Sequence, residues 1–165
     1  MNKFFQFFVS TVSFALLIFA TQTTSILRAN SKNVCPKVGA SDIAKLFDRW
    51  NSSLKTRKPS EVVKNYASDA ILLPTISNKV RHNSQEMKDY FEHFLQQKPV
   101  GKIDEQNIRI YCDVAIDSGR YTFSIVDKNG TKSKVKARYT FVYRKIGDKW
   151  LIEEHHSSTM PEKKY

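Results

Sequence analysis

From Ile108 onward the chain carries four runs with strand periodicity and very short connections between them. IRIYCDVAI (108–116) alternates, with Ile108, Ile110, Cys112, Val114 and Ile116 on one side. RYTFSIV (120–126) follows, then Asp127-Lys-Asn-Gly130, whose Asn129-Gly130 step is a strong hairpin signal. KVKARYTFVYRK (134–145) and KWLIEEHHSS (149–158) face each other across Ile146-Gly147-Asp148. Connections this short cannot carry parallel crossovers, so these runs must form an antiparallel meander.

The segments before the meander read as helices around one further strand. Ser41 is a good N-cap with Asp42 behind it, and Ile43, Leu46, Phe47, Trp50 and Leu54 recur at helical spacing until Pro59. Ser60 opens a short second helix, EVVKNYA. AILLPTIS (70–77) reads as a buried strand with Pro74 at a bulge or edge. Asn83 and Glu86 form a capping box ahead of a third helix with Met87, Tyr90, Phe91, Phe94 and Leu95 inward. The pattern is α+β: a strongly curved antiparallel sheet wraps the N-terminal helices as a cone, with an internal pocket at its open end.

At the N-terminus one Lys precedes an apolar run from Phe4 to Ala20, followed by polar residues. That is the form of a secretory signal peptide over residues 1–29, cut between 20 and 30, or of an uncleaved membrane anchor. Residues 30–40 read as an irregular lead-in, 41–162 as the folded domain and 163–165 as a tail. An exported chain is periplasmic or secreted, and there Cys35 and Cys112 most simply form one disulfide. Without Lys3 and Arg28 the formal charge is 25 − 16 = +9. Lys and Arg read as scattered, with no run interleaved with aromatics, so a solvated basic exterior is expected and nucleic acid is not an expected partner. A membrane becomes a partner only if the N-terminal segment is retained.

Strict alternation along the last strand puts Trp150, Ile152, Glu154, His156 and Ser158 on one face. The larger apolar pair assigns that face to the cone interior, leaving His155 and Ser157 outside unless a bulge reverses the order. Tyr139 and Phe141 on the neighbouring strand, with Tyr121, supply aromatic pocket walls, and Arg81 stands near the mouth, either pinning its loop through backbone carbonyls or anchoring an anion. Glu154 and His156 are then the candidate proton-transfer pair, and Ser158 a ligand contact. Adjacent strand residues point apart, so His155 and His156 do not chelate one ion and no metal site is expected. No GxGxxG loop, flavin motif or CxxC is present, so no cofactor is expected.

LFDRWNSSL, ASDAILLPTISNKVR, DYFEHFL, GRYTF and ARYTFVYRKIGDKWLIEEHHSSTMPE resemble the nuclear-transport-factor-2-like (cystatin-like) superfamily. Within it they are similar to the group related to the association domain of calcium/calmodulin-dependent protein kinase II, whose bacterial members often carry the label SgcJ/EcaC family oxidoreductase. The resemblance implies a cone fold, homo-oligomers built through the sheet and a deep pocket in each cone. It implies chemistry weakly, because the superfamily holds isomerases, cyclases, dehydratases and non-catalytic modules. One pocket arginine of the kinase domain falls at Phe141 here, so an anion pocket does not carry over. The reading that follows is an exported oligomeric protein that binds a small organic ligand or serves as an assembly module. The alternative is an isomerase, cyclase or dehydratase-type enzyme using Glu154 and His156.

Overall fold

The computed structural model describes Cys35 and residues 37–161; the leader, most of the lead-in and the tail lie outside the described residues. The elements are α1 (Ala40–Lys55), α2 (Pro59–Val63), β1 (Tyr66–Leu73), α3 (Ser84–Gln96), β2 (Val100–Tyr111), β3 (Val114–Val126), β4 (Lys132–Ile146) and β5 (Lys149–Thr159). Helix α1 starts two residues earlier than Ser41 as N-cap suggests. Its N-cap is Gly39, whose backbone N–H donates to the Asp42 carboxylate at 3.1 Å. Lys55 in its last turn suits the negative helix end. At α3 the Asn83 side chain accepts from the Glu86 N–H at 3.0 Å, while the Glu86 carboxylate takes the His82 N–H at 2.9 Å.

The sheet is mixed, five-stranded and unclosed, in the order β1-β5-β4-β3-β2. Its antiparallel part is the expected meander, but β1 pairs with β5 in parallel, with Leu72 opposite His155. Helix α1 lays Ile43, Phe47, Trp50 and Leu54 against the concave side, where Tyr121, Phe123, Tyr139, Phe141, Tyr143 and Ile152 are buried. The rings pack edge-on or tilted, Trp50 to Phe141 at 5.4 Å and Tyr121 to Tyr139 at 4.9 Å between centroids. Burying each such side chain contributes roughly 1.5–3 kcal/mol, so this layer is the main source of stability.

Three boundaries differ from the sequence expectation. The run 108–116 is not one strand: Cys112 and Asp113 form a tight turn between β2 and β3, with Cys112 at φ 44°. Strand β2 reaches back to Val100 through Lys-Ile-Asp-Glu-Gln-Asn, a polar stretch that no alternation marks because it is an exposed sheet edge. Strand β1 begins at Tyr66, taking residues assigned to the second helix, and is kinked between Tyr66 and Ile71 with Ser68 and Asp69 both exposed. The Cys35–Cys112 disulfide forms, and it ties the lead-in to the β2–β3 turn.

Gly119 marks a close approach of backbones. A bulge at Asp104 pushes the Glu105 carbonyl toward β3, and a Cβ at position 119 would lie 1.9 Å from that oxygen. Gly119→Ala therefore forces β2 off β3 and should destabilise the domain by about 3 kcal/mol. Chemical denaturation of the variant beside the wild type measures this; an unchanged midpoint would remove the constraint.

Candidate functional site

The last strand contains one residue more than its partner. Tyr143 pairs with Ile152 and Val142 pairs with Glu154, so Glu153 is bulged out of the ladder, its carboxylate 3.3 Å from Arg144 Nε. Side chains change face across such an insertion. Ile152 stays inside, and after it His155 and Ser157 are buried while Glu154 and His156 are exposed and Ser158 lies at the outer surface. This reverses the strict alternation: Glu154, His156 and Ser158 do not enter the cone. His156 sits on the outer face between Leu73 and Thr140, and the Ser158 hydroxyl accepts from Arg138 at 3.3 Å.

His155 ends a buried hydrogen-bonded chain. Trp50 Nε1–H donates to the Tyr66 hydroxyl at 3.0 Å, and that hydroxyl lies 2.9 Å from His155 Nδ1. Tyr66 already accepts from Trp50, so its own proton goes to Nδ1 and the imidazole carries its hydrogen on Nε2. The Nε2–H has no partner. Phe141 stacks on the ring at 4.0 Å and Trp50 meets it edge-on at 5.3 Å. Burial removes hydration from the charged form, and His156 next door adds to this, so the imidazole is pushed down to about 3 and is neutral.

The walls around His155 are Trp50, Leu72, Pro74, Thr75, Tyr90, Phe91, Phe94, Tyr121, Phe123 and Ser157. Ser157 is hydrogen-bonded to the Tyr121 and Thr75 hydroxyls. The enclosed volume is about 10 Å³, room for a single water. The cone interior is thus filled by its own rings rather than open. Tyr121 lines the cavity as expected, whereas Tyr139 and Phe141 are buried on the same sheet face without forming its walls. Tyr139 is engaged elsewhere: its hydroxyl donates to Asp117 at 3.0 Å, and Gln106 donates to the same carboxyl at 2.9 Å. Burial raises the Asp117 pKa. Arg81 pins the loop before α3. It donates to the Lys79 carbonyl and the Ser77 hydroxyl, pairs backbone to backbone with Leu72, and lies over the Tyr90 ring at 5.7 Å.

Among the described residues no three His, Cys, Asp or Glu side chains converge as metal ligands would, and no helix is long and apolar enough to cross a membrane. No carboxylate lines the cavity, so the expected Glu154–His156 pair is not part of it. The sequence did carry one signal for the reversal. Two adjacent glutamates follow Ile152, and one of them is the extra residue that an exposed bulge tolerates.

A mixed, curved, unclosed sheet over N-terminal helices defines the nuclear-transport-factor-2-like, cystatin-like class of cone folds. Within that class the chain belongs to the calcium/calmodulin dependent protein kinase II association domain family, whose description matches residues 39–161. A Xanthomonas campestris structure assigned to the same association domain is 50% identical, covering 78% of this chain and 94% of that one at a TM-score of 0.74. The association domain of the C. elegans kinase is 14% identical, covers 72% and 94%, and has a TM-score of 0.61. An NTF2-like protein of Streptomyces avermitilis, provisionally a dehydratase, is 11% identical, covers 77% and 100%, and has a TM-score of 0.67. At those two identities the likeness shows the fold alone. No curated protein matches the chain.

The neutral His155 has a measurable consequence. Its folded pKa lies below that of the unfolded chain, near 6.5, so the unfolded state binds the extra proton first. Its contribution is complete above pH 6.5 and is lost as pH falls toward about 3. The slope approaches about 1.4 kcal/mol per pH unit in that window. His155→Gln keeps an acceptor for Tyr66 and removes the titration. Denaturant unfolding at several pH values should show a flatter acid limb in the variant, and parallel limbs would refute the assignment.

Proposed function

We propose that the protein is an exported, self-associating module that pairs with copies of itself through one half of its outer sheet face. The carrying observation is a patch of apolar side chains, interrupted by Glu154 and Arg144, that no helix among the described residues covers. Across the strands Ile71, Glu154, Val142 and Ile116 lie in line, with Leu151, Arg144 and Val114 in the neighbouring row. Apolar area left on the outside of a sheet favours burial against another surface. A twofold-related copy supplies the same patch in a self-complementary way. The name association domain, borne by the relatives, supports this reading. His156 lies at the edge of the patch beside Leu73, where it meets a neighbour rather than a substrate. Export rests on the leader alone and requires a mature N-terminus between residues 20 and 30, which N-terminal sequencing reads.

Sedimentation of the wild type at micromolar concentration should give a dimer or larger assembly. Val142→Glu places a charge twice in a twofold interface and should raise the dissociation constant by about 100-fold, equivalent to about 2.7 kcal/mol, with the circular dichroism spectrum unchanged. A monomeric wild type, or an assembly indifferent to this substitution, would defeat the reading.

The unpaired Nε2–H of His155 favours a second property, binding of a small molecule that presents one acceptor oxygen among aromatic walls. At rest the volume suits a water, so a larger guest must displace Phe94 or Tyr90, which lie closest to the surface among the rings. Phe94→Ala should admit a small aromatic ketone or acid, seen as a rise in melting temperature. Adding His155→Gln should cancel the rise, and no rise in the single variant would exclude the site.

A further inference from the structure

The other half of the outer face has a different chemistry. Along β4, Lys132, Lys134, Lys136 and Arg138 occupy alternate positions and all are exposed. They lie on one side, successive charges about 6.8 Å apart by strand rise. Scattering was the expectation from the sequence; strand periodicity gathers these cations into a line. The register adds cross-strand neighbours. Lys136 faces Thr122, which faces Lys102, while Lys134 faces Ser124 and Arg138 faces Arg120. Directly opposed like charges are costly, and Arg120 is relieved by Glu105 at 2.8 Å. Lys102, Lys132, Lys134, Lys136 and Arg138 form no ion pair among the described residues.

Two contiguous grooves run along this line and share Ser124 and Lys134. One, of about 350 Å³, holds Lys102, Arg120, Thr122 and Lys136 together with the Asp104 carboxylate, which accepts from the Thr122 hydroxyl at 2.5 Å; the other, of about 510 Å³, holds Lys98, Lys132 and Ser133 beside Val100, Ile125 and Val126. The cations thus outnumber the single lining carboxylate, Asp104, along a furrow that also carries the Ser124 and Ser133 hydroxyls. We propose that this half of the face binds a linear anionic polysaccharide, its carboxylate or sulfate groups on the lysines and its hydroxyls on Ser124 and Ser133. A row of charges at fixed spacing fits a repeating polyanion better than a single small anion. The furrow has no exposed aromatic ring on which bases would stack, which disfavours single-stranded nucleic acid. Exposed apolar residues there are confined to Val100 and Met160, too few to insert into a lipid surface. Lys134 lies eight residues along the strand from Val142, so both halves can be occupied at once.

The test uses the full-length protein with polygalacturonate, heparin, neutral dextran, a single-stranded oligodeoxynucleotide and anionic phosphatidylglycerol vesicles. At about 50 mM salt, polygalacturonate or heparin should bind and dextran should not. The triple variant Lys132→Gln, Lys134→Gln, Lys136→Gln should weaken that binding about tenfold or more and flatten the dependence of log affinity on log salt. A control losing the same charge elsewhere, Lys45→Gln, Lys64→Gln, Lys88→Gln, should change affinity by less than about twofold. Equal loss in both variants would reduce the effect to overall charge and overturn the site. Tighter binding to the oligonucleotide or the vesicles than to either glycan would overturn the partner class, as would no glycan binding.

Discussion

One extra residue in the last strand decides what the interior of this protein can do. With Glu153 bulged out, Ile152 keeps its place in the core and every later side chain is turned over. The carboxylate and the imidazole that together would make a proton shuttle, Glu154 and His156, go to the outside. The imidazole left within, His155, is shared among Trp50, Tyr66 and Phe141 and has no acid beside it. The interior therefore presents a neutral imidazole among aromatic rings.

The same insertion shapes the exterior. Glu153 is drawn to Arg144, whose guanidinium also reaches Asp69 at 2.8 Å on β1. That cluster joins the parallel edge strand to the meander at the place where β1 itself is kinked. Two irregularities in neighbouring strands thus meet under one arginine, and beside them lies the apolar patch. Cationic residues take over toward the opposite end of β4.

Much of this was legible in the residues. The helical stripes, the meander and the buried rings follow from spacing, because each rests on a period carried by large apolar side chains, and the disulfide partners follow from there being only two cysteines. The edge strand β2 was not, since from Lys102 to Asn107 only Ile103 packs inward and its neighbours are exposed, too little to mark a period. Nor was the parallel partner of β5, which depends on where β1 returns in space. At the site the residue types were found but their faces were inverted. A period-two argument fails wholesale at a single insertion, and only the Glu153-Glu154 doublet hinted at one. The line of cations was written plainly in KSKVKAR and was obscured by counting charge along the chain instead of by face.

In that stretch the residues between the lysines, Val135, Ala137 and Tyr139, look inward, the last two fully buried in the core. Core and surface are interleaved one residue at a time, yet they answer to separate demands. Replacing every outward cation would leave each inward neighbour its packing partners. Selection can therefore rewrite what the outside recognises while the inside is inherited unchanged, which is one way for a single scaffold to acquire many clients.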